Sequence, residues 1–135
     1  PAPPAGAGGD PVIPVLVAVC GGLGAVARFV VDAEVGHRVA KWGIPLGTVL
    51  VNISGSFLLG LIVGWWTFHA GDPGLKAALG TGFMGGYTTF STACVEAARL
   101  ARADRRWTLL VHAGGTLVLG VAGAALGFWL GSILP

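Results

Sequence analysis

Four long apolar runs, separated by short polar stretches, dominate the chain. The first runs from about Val12 to Val31, the second from Ile44 to Phe68, the third from Leu75 to Ala98 and the fourth from Trp107 to Leu134. Each is long enough to cross a hydrocarbon core of roughly 30 Å as an α-helix. The stretches between them hold Glu34, His37, Arg38 and Lys41, then the turn signal Gly71-Asp72-Pro73-Gly74, then Arg99, Arg102, Asp104, Arg105 and Arg106. This alternation predicts an all-α membrane protein with four transmembrane helices and no extramembrane domain between them. Trp42, and Trp65 with Trp66, stand where interfacial anchors belong. Residues 1–11 are rich in Pro, Gly and Ala and are expected to form a disordered tail. They carry no Lys or Arg, unlike the start of a signal peptide.

Polar residues inside the apolar runs carry the functional information. The third run contains Gly82-Phe83-Met84-Gly85-Gly86-Tyr87-Thr88-Thr89-Phe90-Ser91-Thr92. A Gly pair followed by four hydroxyls, deep in an apolar segment, predicts a third helix broken near its middle. Freed carbonyls and hydroxyls there are candidate ligands for an ion. The competing explanation is that the glycines only allow close packing and the hydroxyls bond back to the preceding turn. In the second run Thr48, Asn52 and Ser56 recur every fourth residue and form one polar stripe. The stripe either glues helices together or lines a pore, and three aligned positions favour the pore. Thr108, His112 and Thr116 repeat the pattern in the fourth run, which assigns Thr116 to the pore by stripe geometry. Gly123, Gly127 and Gly131 form a small-residue seam for helix packing. Arg28 lies inside the first run and must face the bundle, a water-filled vestibule or the headgroups. Glu96, near the end of the third run, is expected to pair locally or cap the polar face.

Composition supports this reading. Charged residues make up 10% of the chain against about 25% for a soluble domain, and the mean hydropathy is +0.80. The 24 glycines sit mainly within apolar runs, as in tightly packed membrane helices. Cys20 and Cys94 lack metal-ligand spacing and read as small buried hydrophobes, with no disulfide. There is no nucleophile–base constellation or phosphate loop, so an enzyme is not expected. The basic loop after the third run reads as a membrane-surface loop and not as a nucleic-acid site.

Three motifs converge. Gly21-Gly22-Leu23-Gly24-Ala25-Val26-Ala27-Arg28-Phe29, Gly47-Thr48-Val49-Leu50-Val51-Asn52 and the Gly82–Thr92 segment resemble the Fluc (CrcB) fluoride channel family. The resemblance implies a dual-topology-type dimer of four-helix subunits, a homodimer or a heterodimer with an oppositely oriented paralogue. It implies two fluoride pores in the cell membrane. It also implies a structural Na⁺ at the dimer centre, not transported, held by the backbone carbonyls of Gly85 and Thr88. The pore Asn corresponds to Asn52 and the first pore Phe to Phe90. Ser91 and Thr92 correspond to polar residues beside it, and Arg28 to the basic residue of the first motif. Fluoride is small and strongly hydrated, and hydroxyls, an Asn amide and the positive edge of a Phe ring replace its water without a fixed charge.

Two features depart from the family pattern. Ala93 stands where a second Phe is usual. The loops following the first and third runs hold Arg38, Lys41, Arg99, Arg102, Arg105 and Arg106, whereas the opposite side holds Lys76 alone. This bias predicts a single orientation, with both termini outside and both basic loops in the cytoplasm. The expected function is a passive channel exporting fluoride. One alternative is a non-conducting or half-functional subunit that needs its paralogue. Another is a small multidrug-type four-helix exporter, which would want an intramembrane carboxylate for proton coupling.

Overall fold

The computed structural model describes residues 11–39 and 45–135. Most of the expected tail, together with Lys41 and Trp42, lies outside the described residues. Among the described residues every regular element is helical. Helix α1 is Val12–Val39 and α2 is Leu46–Phe68. Helix α3, residues 73–87, joins Pro73–Lys76 in α geometry, Ala77–Met84 in π geometry and Gly85–Tyr87 in α geometry. Helix α4 is Phe90–Arg102 and α5 is Arg106–Ile133. Three helices, α1 through Arg38, α2 and α5, are long and apolar enough to cross a membrane. The protein is a multi-pass membrane protein, with α3 and α4 as the further helical unit.

Helix α1 is longer than its apolar run. It continues eight residues past the expected end at Val31, to Val39. The added turns contain no proline, and Arg38 donates to Glu34 one turn earlier. Such an i,i+4 pair supports a helix that has left the apolar layer. Asp32, in these turns, lies against Gly47 in the first turn of α2. A carboxylate there faces the positive end of the α2 dipole. At the other end of α2, Asp72 caps α3 by accepting from Leu75 N at 2.7 Å, and Pro73 takes the first helical position. Trp66 Nε1 donates to Asp72 O at 3.2 Å and Trp65 Nε1 to Pro135 O at 3.4 Å, which ties the ends of α2 and α5 to the turn.

Two pairs of parallel helices build the bundle. A Cβ on Gly127 would overlap the carbonyl oxygen of Phe57, and one on Gly131 that of Leu61. The offset between partners is the same in both cases, so α2 and α5 run parallel in register. Gly60 and Gly64 answer from α2 against Ala124 and Phe128. This is the seam expected at Gly123, Gly127 and Gly131, with Gly123 nearest Ile53 and Phe57. Helix α1 packs on α3 in the same manner: a Cβ on Gly24 would overlap Phe83 O, and one on Gly86 would overlap Gly21 O. Close backbone approach replaces hydrophobic burial as the attraction, because lipid is as apolar as the side chains.

Candidate functional site

The site is assembled where α3 gives way to α4. Gly85 is itself helical, at φ −62° and ψ −38°. The extended residues are Thr88, at φ −75° and ψ 156°, and Thr89, at φ −146° and ψ 120°. The Gly pair therefore serves packing against α1, through Gly86, and the chain leaves helical geometry at two β-branched residues that tolerate extended backbone.

Asn52 holds these extended residues. Its Nδ2 donates to Thr89 O at 2.8 Å, and its Oδ1 accepts from Thr89 N at 2.8 Å. One side-chain amide thus satisfies both main-chain groups of one residue, as a neighbouring β-strand would. Thr89 then starts α4: its Oγ1 accepts from Thr92 N at 3.2 Å and donates to Thr92 Oγ1 at 3.0 Å. In an unbroken α-helix Thr89 N would bond Gly85 O, and Thr92 N would bond Thr88 O. Both amides are diverted, so the Gly85 and Thr88 carbonyls lose their helical partners. The next carbonyl, Gly86 O, accepts from Arg28 Nε at 3.2 Å. Arg28 thus caps the C-terminal end of α3, where a cation is favoured.

Beside the extended residues lies a cleft of about 490 Å³ between α2, α4 and α5. Its polar lining comprises Asn52, Ser56, Thr88, Thr89, His112 and Thr116, with Phe90, Ala93 and Cys94 on the α4 side. The structure brings Asn52, Phe90 and Thr116 of the expected site residues together here. The Phe90 ring is 84% exposed. Ser91, Thr92, Thr48 and Arg28 are not on the cleft wall. Cys94 is exposed and lines the cleft, contrary to the expectation that it is buried, because the open cleft leaves this face of α4 uncovered.

Hydroxyl protons in the cleft are unequally committed. Thr88 Oγ1 donates to Met84 O at 3.0 Å, and Thr116 Oγ1 donates to His112 O. Ser56 Oγ makes no hydrogen bond among the described residues, and Asn52 keeps its second Nδ2 proton. Ser56 and Asn52 are therefore the free neutral donors on α2.

Below the cleft, Thr48 is 1% exposed and its Oγ1 donates to Glu96 Oε1 at 2.9 Å. Glu96 Oε2 stands 3.6 Å from His112 Nε2. Of the two expectations for Glu96, a local pair or a place on the polar face, the contacts fit the second, since it meets the stripes of α2 and α5. The sequence carried the Thr48 and His112 stripes but no sign that α4 would bring Glu96 between them.

The family model of the CrcB-like proteins (Camphor Resistance, CrcB) matches residues 15–128. The Fluoride-specific ion channel FluC 1 of Leifsonia xyli subsp. xyli is 46% identical over 123 residues, covering 91% of this chain and 89% of the relative. FluC 2 of Cutibacterium acnes is 49% identical over 117 residues, covering 86% and 94%. FluC 2 of Mycobacterium tuberculosis is 43% identical over 117 residues, covering 87% and 89%. The matched segment contains Arg28, the Asn52–Thr89 clasp and the entire cleft, and on this ground the chain belongs to the CrcB-like protein family.

Proposed function

We propose that this chain is a subunit of a fluoride-selective passive channel that lowers cytoplasmic fluoride by letting it leave across the cell membrane. The observation that carries the reading is the Asn52–Thr89 clasp at the edge of a cleft lined by neutral donors. The names of the relatives, fluoride-specific ion channels, agree with it.

The cleft offers an anion hydrogen-bond donors without a fixed cation. The second Nδ2 proton of Asn52 and the hydroxyl of Ser56 replace water around the ion, and the Phe90 ring presents its positive edge. Neutral donors hold an anion loosely enough for release, as conduction requires. The direction follows from the membrane potential. An interior negative by 100 mV favours expelling one negative charge by about 2.3 kcal/mol.

The unit is a dimer of oppositely oriented subunits, each crossing the membrane four times, with α3 and α4 as one interrupted span. The partner covers the exposed Phe90 and the surface around Gly85, where an added Cβ would meet nothing within 4 Å. The diverted amides of Thr89 and Thr92 make the Gly85 and Thr88 carbonyls suitable hard, neutral ligands for Na⁺. Two carbonyls from each subunit would hold the ion, which supplies the positive charge that joins the two interrupted spans. The excess of Lys and Arg at the α1–α2 and α4–α5 connections orients this subunit with both termini outside. An oppositely inserted paralogue supplies the aromatic ring that Ala93 lacks.

The test is fluoride efflux from liposomes containing the purified protein, alone and with a candidate paralogue. Efflux of fluoride but not chloride is expected. No fluoride efflux under either condition overturns the reading. Cysteines introduced at Lys76 and Arg105 should label from opposite sides only. Equal labelling of both positions from both sides would refute the single orientation.

A further inference from the structure

His112 is the most deeply buried polar side chain of the cleft wall. It is 2% exposed, yet neither Nδ1 nor Nε2 has a partner in good hydrogen-bond geometry, the Ala93 main chain and Glu96 being the acceptors near the ring. Glu96 Oε2, 3.6 Å from Nε2, is also unpartnered. Native proteins seldom leave such groups unsatisfied. The imidazole lines the cleft, and Ala93 leaves room beside it. The groups around the ring are well defined. Helix α4 contributes Glu96, the Ala93 main chain and Cys94. Asp32 of α1 and Arg99 of α4 act on Glu96. Helix α2 contributes Thr48, whose proton is already given to Glu96 Oε1. Among the described residues no Lys or Arg lines the cleft, so the group there that can become a cation is His112.

We infer that His112 is a second anion-binding group of this cleft, donating a ring N–H to a small halide and taking up a proton as the anion binds. The inference rests on the fluoride reading for the identity of the anion. The proton count explains the coupling. A neutral imidazole beside an ionised Glu96 has one N–H, and the carboxylate competes with the anion for it. One added proton gives the ring two N–H groups, one for Glu96 Oε2 and one for the anion. If the added proton settles on Glu96 instead, the competing acceptor is removed. Either way the pair becomes less negative, so binding and flux rise as pH falls. By linkage, anion binding draws a proton onto the pair.

The experiment uses full-length protein in liposomes, with fluoride efflux measured between about pH 6 and 8.5, the range around an ordinary imidazole. In parallel, ring ¹⁵N signals of the protein's three histidines are followed during sodium fluoride titration, with sodium chloride as control. His112→Gln assigns the signal. The expected results are a fluoride-dependent shift of the His112 signal and an efflux that rises about fivefold or more toward low pH with a slope of at most one proton. His112→Gln should lower flux at low pH and lose its pH dependence, and His112→Leu should lose about tenfold in flux. A pH profile unchanged in both variants, with a His112 signal indifferent to fluoride, overturns the inference and leaves the channel reading standing. A fluoride-dependent His112 signal without efflux from the protein alone or with the paralogue supports the site and overturns the channel reading.

Discussion

Replacing Asn52 by Leu keeps the branching of the side chain and removes both hydrogen bonds to Thr89. Those bonds are 2.8 Å each; the Thr89 amide has no helical alternative, while the Thr89 carbonyl, at the N-cap of α4, also begins that helix's own bonding. An orphaned buried polar group costs about 1–3 kcal/mol in soluble proteins, while hydrogen bonds inside membrane bundles average nearer 0.6 kcal/mol. The orphaned amide and the bond lost by the carbonyl together give an expected loss of about 2–4 kcal/mol. The loss is read as a lowered unfolding midpoint in detergent, and as faster hydrogen exchange at the Thr89 amide. Asn52→Asp separates the two bonds. It keeps an acceptor for Thr89 N but sets a carboxylate oxygen against Thr89 O, so it should be no more stable than the Leu variant. Fluoride efflux should fall about tenfold with Leu, since one donor lost to an anion is worth about 1.4 kcal/mol or more. A Leu variant within about 0.5 kcal/mol of wild type, with unchanged exchange at Thr89, would refute the claim that Asn52 holds the extended residues in place.

Three further outcomes follow from the packing and the termini. Gly127→Ala should lower thermal stability by about 1–3 kcal/mol, because its Cβ overlaps Phe57 O, whereas Gly114→Ala, with nothing within 4 Å, should be neutral or slightly stabilising; thermal scans in detergent distinguish them. Arg28→Gln should destabilise by about 1.5–3 kcal/mol through loss of the charged donor to Gly86 O, with Arg28→Lys intermediate; equal midpoints for all three proteins would contradict the capping role. Exchanging Na⁺ for a large organic cation throughout purification should weaken subunit association, seen as monomer by light scattering. An unaltered dimer without Na⁺ would remove the carbonyl-held ion from the proposal.

Several features were readable along the chain because they depend on local pattern. The apolar runs specify membrane-crossing helices, since lipid leaves main-chain polar groups no partner outside the helix. The four-residue spacing of Gly123, Gly127 and Gly131 marks a packing face wherever that helix lies. The motifs that carry the family resemblance are contiguous, so they too were visible. Helix α1 outruns its apolar run, which ends before Asp32, because a helix stops only where its hydrogen bonding fails. The Glu34–Arg38 pair carries it onward.

What only the tertiary structure decided is which partner each polar group takes. From sequence, Asn52 is a polar residue needing a bond. The fold spends its amide on Thr89, which moves the break from the glycines to the two threonines after them. Thr116 belongs to the cleft, yet its proton is committed to His112 O, while Ser56 is left free. Glu96 and His112 are sixteen residues apart on different helices, and only the packing of α4 across α2 and α5 sets them 3.6 Å apart. Periodicity says which face a residue occupies, but hydrogen bonds act over about 3 Å. That distance is set by how closely the glycine seams let the backbones approach.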